Sequence, residues 1–174
     1  MAVCGFIDGN IEKTCDNNIG GIKKLYLQLK SNVSGVTLGS PTDEITGFTM
    51  VAAATFFEVE LTRNTSTFLE AENNDEANGT QLITQTITIV LNRREKTKRD
   101  QIRLLGRFRE LVAIITDSND NIWYFGEENG LLLTTNEGGP GTTKADPNRY
   151  TLTLVGQEPE MANTVTAAAL AAVI

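Results

Sequence analysis

The chain has 174 residues, 40% of them hydrophobic, and a formal net charge of -7, which suits one domain with one buried core. The sequence pI of about 4.7 argues against a protein that binds nucleic acid over its whole surface, because such binding needs a cationic surface. The sequence contains no histidine, which excludes Ser-His-Asp and Cys-His nucleophiles and removes the commonest metal ligand.

The N-terminal stretch MAVCGFIDGN has neither a basic region nor a long apolar run, so it does not match a signal peptide. No other stretch approaches the roughly twenty apolar residues of a membrane span. We therefore expect a soluble protein made in a cytosol, with residues 1–18 as an N-terminal arm. Cys4 and Cys15 are then expected to be free thiols, and a short disulfide-closed loop is the alternative.

Apolar residues recur mostly with period two, in runs rich in Val, Ile, Thr, Phe and Tyr, and this pattern predicts a mainly β protein. We place the β domain at residues 19–158. The turn sequences DSNDN and ENG predict that residues 111–135 form a three-stranded meander. The predicted strands are residues 22–29, 48–61, 81–91, 111–116, 122–125, 131–135 and 150–155.

The predicted strand 81–91 alternates between two kinds of residue, so one of its faces should be buried and the other solvated. Thr84, Thr86 and Thr88 form a threonine ladder on the solvated face. In the predicted strand 48–61, the carboxylates of Glu58 and Glu60 project from a common face. The buried face of strand 81–91 is predicted to carry Ile83, Gln85, Ile87, Ile89 and Leu91.

Two polar inserts interrupt the strands. Residues 63–80 are mostly small and acidic around a single Phe68-Leu69 pair, which predicts a long loop that leaves the sheet and carries function. We expect this acidic loop to be mobile in the free subunit. Residues 136–148 contain two of the four prolines and are predicted to form a flexible surface loop.

A basic stretch, residues 93–110, is the one predicted helix. Residues 93–109 hold eight cations and two anions, a net charge of +6, which leaves seven cations and twenty anions, a net of -13, elsewhere. Asn92 and Glu95 are predicted to form a capping box. One half of the helical wheel is cationic and the other is apolar and expected to pack on the sheet; the apolar residues are Ile102, Leu104, Leu105, Phe108, Leu111 and Val112. A merely solvated cationic face is the alternative.

No catalytic or metal-binding pattern stands out. The glycine-rich stretches lack the GxxxxGK[ST] spacing of a phosphate loop. Asp117, Asn119, Asn121 and Glu128 occupy four positions of a calcium-binding EF-hand loop, but Ile122 stands where that loop needs glycine, so a hairpin turn is predicted. We expect neither an enzyme nor a bound cofactor or metal.

The C-terminal tail, residues 159–174, concentrates apolar residues at the end of the chain. Val165, Leu170, Val173 and Ile174 need burial, and we expect the core to be complete by Val155. We therefore predict an arm that docks on a neighbouring subunit, with packing on its own subunit as the alternative.

Several segments resemble structural proteins of tailed bacteriophages that infect Bacteroidetes-type bacteria. They are IGGIKKLYL, FFEVELTRNTSTFLEA, QTITIVLN, LVAIITDSNDNIWYFGEENGL and YTLTLVGQEPEM. The order of elements is similar to the phage tail tube fold, which type VI secretion tube rings share. The segments span most of residues 19–161, and the family has no catalytic signature.

This resemblance implies a virion protein, assembled in the host cytoplasm, that forms stacked hexameric rings through which double-stranded DNA passes without specific binding. Other tail proteins would be its partners. Thr84, Thr86, Thr88, Glu58 and Glu60 are the candidate lumen residues. The candidate subunit interface comprises Arg99, Arg103 and Arg107 with Glu70, Glu72, Asp75 and Glu76. A single-ring head-tail joining or tail-terminator protein is one alternative, and a monomeric β-sandwich binding module is another.

Overall fold

The computed structural model describes residues 11, 13, 15–40 and 44–174. These residues form mainly antiparallel β structure with two helices, and the predicted fold class is confirmed. The strands are β1 (Ile22–Leu29), β2 (Val33–Leu38), β3 (Ile45–Met50), β4 (Phe57–Val59), β5 (Thr67–Asp75), β6 (Thr80–Asn92), β7 (Leu111–Asp117), β8 (Ile122–Phe125), β9 (Leu132–Gly139), β10 (Arg149–Glu158) and β11 (Asn163–Thr164). The helices are α1 (Lys96–Leu105) and α2 (Ala167–Ala171), and a 3-10 turn covers Lys30–Asn32.

Two sheets pack face to face around the main core. The five-stranded sheet has the order β11-β8-β7-β1-β4, and the four-stranded sheet has the order β5-β6-β10-β9. Both contribute alternate side chains to one apolar layer, as aligned sandwiches do. Its largest buried members are Leu25, Ile87, Ile89, Leu111, Ile115, Phe125, Leu131, Leu152 and Leu154.

A second apolar layer covers the opposite face of the five-stranded sheet. Tyr26, Val112, Ile114 and Tyr124 project from that sheet into this layer, and the β2–β3 hairpin and the C-terminal tail close it from outside. The five-stranded sheet is thus the middle of the molecule. All six residues from Leu111 to Thr116 in β7 are buried, as expected for a strand covered on both faces.

The predicted strand 48–61 is wrong as a single element. β3 ends at Met50, and β4 begins only at Phe57. Between them Ala52 and Ala53 have φ angles of 38° and 57°, so the backbone turns through the left-handed region and passes from the outer hairpin to the edge of the five-stranded sheet. Strand β2 was not predicted.

The predicted meander over residues 111–135 is also wrong. β7 and β8 form a hairpin, but β9 pairs with β10 in the four-stranded sheet. The chain changes sheets between Gly126 and Gly130, whose φ angles are 77° and 78°. A Cβ on Gly126 would lie 2.8 Å from the carbonyl oxygen of Leu111, so glycine allows the close crossing.

The predicted acidic loop is instead a β-hairpin. Residues 67–75 pair with β6 in an unbroken register from Thr67 opposite Thr88 to Asp75 opposite Thr80. Its Asn, Asp and Glu residues have low intrinsic β propensity, and pairing with the threonine-rich β6 overrides it. The second predicted loop starts later than expected, because β9 continues to Gly139.

The predicted helix is present but shorter, from Lys96 to Leu105. Glu95 is the N-cap residue and makes no side-chain capping bond, so the predicted capping box at Asn92 is wrong. Arg93 has a φ of 62°, which separates Asn92 from the helix. A second helix, α2, was not predicted.

The C-terminal tail packs on the rest of its own chain, so the predicted docking on a neighbour is wrong. Val165, Leu170 and Val173 are buried in the second apolar layer, while Ile174 is exposed. Backbone bonds fix the tail: the amide of Thr166 donates to the carbonyl of Ile45, and that of Phe56 donates to the carbonyl of Val173. The core is therefore not complete at Val155, because the outer face of the five-stranded sheet would remain exposed without the tail.

Candidate assembly surfaces

Helix α1 packs with only part of its predicted apolar half. Ile102 is buried and Leu105 is half-buried, but Leu104 and Phe108 are 44% and 43% exposed. Leu111 and Val112 belong to β7 and not to the helix. The helix therefore lies against the sandwich edge and leaves two large apolar side chains in solvent.

The cations Arg99, Arg103 and Arg107 are exposed on this helix and just after it. The ion pairs in the basic stretch join Arg93 to Glu95 at 2.9 Å and Lys96 to Asp100 at 3.5 Å. Among the described residues, none of the three arginines lies within 4 Å of a carboxylate oxygen. Their charges are thus free to meet a partner.

The β5–β6 hairpin projects beyond the sandwich. The pairing of β10 with β6 ends at Glu158 opposite Ile83, whereas β5 stays paired with β6 up to the turn before Thr80. Residues 72–81 are all exposed. The tip is therefore a two-stranded arm that the rest of the described chain does not cover.

The predicted interface carboxylates Glu72, Asp75 and Glu76 lie on this arm. Asp75 accepts bonds from the backbone amides of Ala77 and Asn78 at 3.0 and 3.3 Å. Hydrogen bonds from the side chain and the backbone of Asn78 lower the pKa of Asp75. Glu72 accepts a bond from Gln81 across the hairpin at 2.7 Å, so the arm carries an ordered negative charge.

Glu70, the fourth predicted interface carboxylate, is instead engaged inside the subunit. It is half-buried, and its Oε1 accepts bonds from Gln85 Nε2 at 3.2 Å and from the Ala162 amide at 2.7 Å. Gln85 is 2% exposed and also accepts the Gly126 amide at 3.0 Å. This network joins β5, β6, the sheet-crossing segment and the C-terminal tail. The sequence indicated this network only through Gln85, which stands among apolar residues on the predicted buried face of strand 81–91.

Sequence reasoning missed a second buried carboxylate, Glu158, which is 3% exposed. Its two oxygens accept the backbone amides of Glu128 and Asn129, each at 3.0 Å. The nearby Tyr124 hydroxyl is buried, and burial together with the charges of Glu127 and Glu158 raises the pKa of Tyr124. Nothing in the sequence distinguished Glu158 from an exposed glutamate, because its amide partners come from a loop thirty residues away.

The predicted threonine ladder lies on the outer face of the four-stranded sheet. Residues paired directly in antiparallel strands project to the same face, and the register extends the ladder into rows across all four strands. One row is Thr67, Thr88, Thr153 and Thr135. The next is Leu69, Thr86, Val155 and Leu132. These two rows, which we call the threonine face, carry no charged side chain.

Glu58 and Glu60 do not share that surface. Glu58 is paired with Tyr26, whose side chain lies in the second apolar layer, on the far side of the five-stranded sheet. Glu60 follows β4 and is exposed. The five predicted lumen residues therefore divide between two separate surfaces.

The acidic arm and the start of the basic helix lie at opposite ends of β6. The hairpin turn precedes Thr80, and α1 begins four residues after Asn92. Thirteen residues of strand span roughly 43 Å. The helix then runs back toward the middle of the sheet, where Gly106 approaches Leu133. The acidic arm thus lies beyond one end of β6, and the basic residues extend from the other end of β6 back to the middle of the sheet.

The remaining predictions concern ligands and membranes. Across the described ranges, no group of three or more Cys, Asp and Glu side chains is placed to hold a metal ion, and no helix is long and apolar enough to cross a bilayer. Asp117 accepts the amides of Asn119 and Asn121, which confirms the predicted hairpin turn. Cys15 is exposed, and Cys4 lies outside the described residues.

Comparisons of the chain with family models, with curated proteins and with solved structures find no match.

Proposed function

We propose that the chain is a structural subunit that assembles head to tail with copies of itself, as the subunit of a stacked hexameric tail tube of a tailed bacteriophage. The observation that carries this proposal is the separation of the acidic arm from the cationic face of α1 along β6. A contact between two different surfaces of identical subunits is heterologous, and it builds rings or filaments.

The charges make the two surfaces complementary. Arg99, Arg103 and Arg107 have no carboxylate partner among the described residues, and Glu72 and Glu76 on the arm meet no cation there. Complementary charges of this kind steer encounter and fix register more than they set affinity. Assembly should therefore weaken as salt increases.

The threonine face suits the wall of a conduit. Its two rows expose hydroxyl and methyl groups without a cation that could hold a phosphate, and affinity for DNA backbones rests on cations. The net charge of -7 further opposes phosphate binding. In the proposed tube this face lines the lumen, and DNA passes without being retained.

The test is charge reversal at the cationic face. The triple variant Arg99→Glu, Arg103→Glu and Arg107→Glu should stay folded by circular dichroism and lose assembly at moderate salt. The matched control reverses Lys24, Arg63 and Lys144, three exposed cations elsewhere, with the same change of net charge. Only the first variant should fail to assemble.

Size-exclusion chromatography and negative-stain imaging give the readout. Long tubes from the unmodified chain support the proposal, whereas isolated rings would favour a head-tail joining or terminator protein. Monomers at all concentrations would favour a binding module and would overturn the proposal, as would equal effects of the two triple variants.

A further inference from the structure

A mainly apolar groove of about 360 Å³ lies between α1 and β4. Its principal apolar walls are Leu27, Leu29, Phe57, Val59, Leu104 and Phe108. Phe57 is 69% exposed, and Leu104 and Phe108 are each more than two-fifths exposed. Large apolar side chains that are grouped in this way, and not scattered singly, mark an interaction site.

The groove also borders an open sheet edge. β4 is the last strand of the five-stranded sheet and pairs on one side only, with Leu25–Leu27 of β1. No described strand meets the outer backbone groups of Phe57–Val59. An extended segment that lies in the groove could therefore add to this edge by main-chain hydrogen bonds while its side chains enter the groove.

We propose that residues 1–14 of the same chain dock in this groove. The segment places apolar side chains at Val3, Phe6, Ile7 and Ile11, and Phe6 with Ile7 forms the bulkiest pair. Ile11, which the structure describes, is 92% exposed, so this part of the chain carries apolar surface that the other described residues do not cover. The inference does not depend on the proposed tail-tube function.

The segment is long enough to reach. The amide of Ile19 donates to Asn119 Oδ1 at 2.8 Å, which holds the chain at the β7–β8 turn. From there the groove lies near the other end of β1, an eight-residue strand of roughly 26 Å. The thirteen Cα–Cα steps from Phe6 to Ile19 can extend to about 43 Å. Docking within one chain is also favoured by its high effective concentration.

Cys4 offers a direct test, because it lies two residues from Phe6. In the full chain with Cys15→Ser, the helix substitution Gln101→Cys places a thiol at the exposed wall of the groove. Mild oxidation should join Cys4 to this thiol within one chain. Non-reducing gels and mass spectrometry of the intact protein measure the rate and show whether the product is a monomer.

The matched control is Asn78→Cys at the tip of the β5–β6 arm. The arm starts at Thr67, which borders the same pocket as Ile19, and its tip is then about as far from Ile19 as the groove is. We expect the groove pair to oxidise at least tenfold faster than the control pair, and we expect Phe6→Asp to abolish that difference.

A second measurement needs no introduced thiol. In the Cys15→Ser chain, Leu104→Asp or Phe6→Asp should increase the rate at which a thiol reagent labels Cys4 by severalfold. Equal oxidation rates at the groove and the arm, or unchanged labelling of Cys4, would overturn the proposal. Disulfide-linked dimers in place of monomers would also overturn it, because the occupant would then come from another copy.

Discussion

The two stacked sheets differ in how many of their faces the chain itself covers. In β7 of the five-stranded sheet, every residue from Leu111 to Thr116 is buried. In β6 of the four-stranded sheet, buried residues alternate with half-exposed threonines from Ile83 to Ile89. The five-stranded sheet is therefore the structural centre of the described chain, and the four-stranded sheet has one face that the described residues leave uncovered.

This difference separates residues that hold the fold from residues that are available for partners. Side chains on either face of β7 lose apolar surface to a neighbouring layer, and each contributes roughly 25 cal/mol per Å² of buried apolar area. Side chains of the threonine face gain no such burial within the subunit. Substitutions in β7 should thus affect stability more than assembly, and substitutions on the threonine face should affect assembly more than stability.

The largest effect is expected in β7, where Ile114 and Ile115 are both 0% exposed but face different apolar layers. Replacing either one by Ala leaves a cavity and should lower the free energy of unfolding by about 2–5 kcal/mol. Urea unfolding measures the change. Thr86→Ala on the threonine face is the control and should stay within about 0.5 kcal/mol. A comparable loss of unfolding free energy in all three variants would contradict the proposed difference between the two sheets.

The next effect concerns the tail that covers the second face of the five-stranded sheet. Leu170→Ala should destabilise the isolated subunit by about 2 kcal/mol, at the lower end of the usual range, because the side chain retains a little solvent contact. Ile174→Ala, at an exposed position, should have little effect. Thermal unfolding at a concentration below assembly measures both. Lost assembly with an unchanged unfolding temperature would show that the tail acts between subunits.

A smaller effect is expected for the buried network around Gln85. Gln85→Leu removes the acceptor for the Gly126 amide and the donor to Glu70, and it should cost about 1–3 kcal/mol because those buried groups lose their partners. Gln81→Leu, four strand positions away on the exposed arm, is the matched control and should be close to neutral. Chemical denaturation of both variants measures the difference, and equal values would contradict the proposed role of the network.

The smallest effect is a loss of stability at alkaline pH through Tyr124. Its pKa is raised in the folded state by burial and by the charges of Glu127 and Glu158, so the folded protein holds a proton that the unfolded chain releases near pH 10. The contribution of Tyr124 is complete below that pH and declines as pH increases above it. Tyr124→Phe should lose this part of the pH dependence in denaturant titrations, and an unchanged slope would refute the assignment.

Local pattern predicted β1 and β8 to the residue and the central parts of β6, β7 and β10, because strong alternation or continuous apolar runs already specify a strand. It failed for β5, where Asn, Asp and Glu form a strand only because β6 lies beside them. For β9 it predicted a strand at residues 131–135 but neither its extension to Gly139 nor its pairing with β10, because the sequence suits a strand in either sheet. The six other candidate interface residues are exposed, as their charges suggest, but Glu70 faces inward and is bound by Gln85 and Ala162, which are distant in sequence.

The sequence by itself determined the mainly β class, the cationic helix and the alternating faces of β6, because these depend on residue type and on spacing within one segment. The tertiary structure alone decided which strands share a sheet, that the C-terminal tail closes the second apolar layer, and that the acidic arm and the start of the basic helix lie at opposite ends of one strand. Those features arise from pairing and burial between segments far apart in the chain, and no local pattern of residues encodes them.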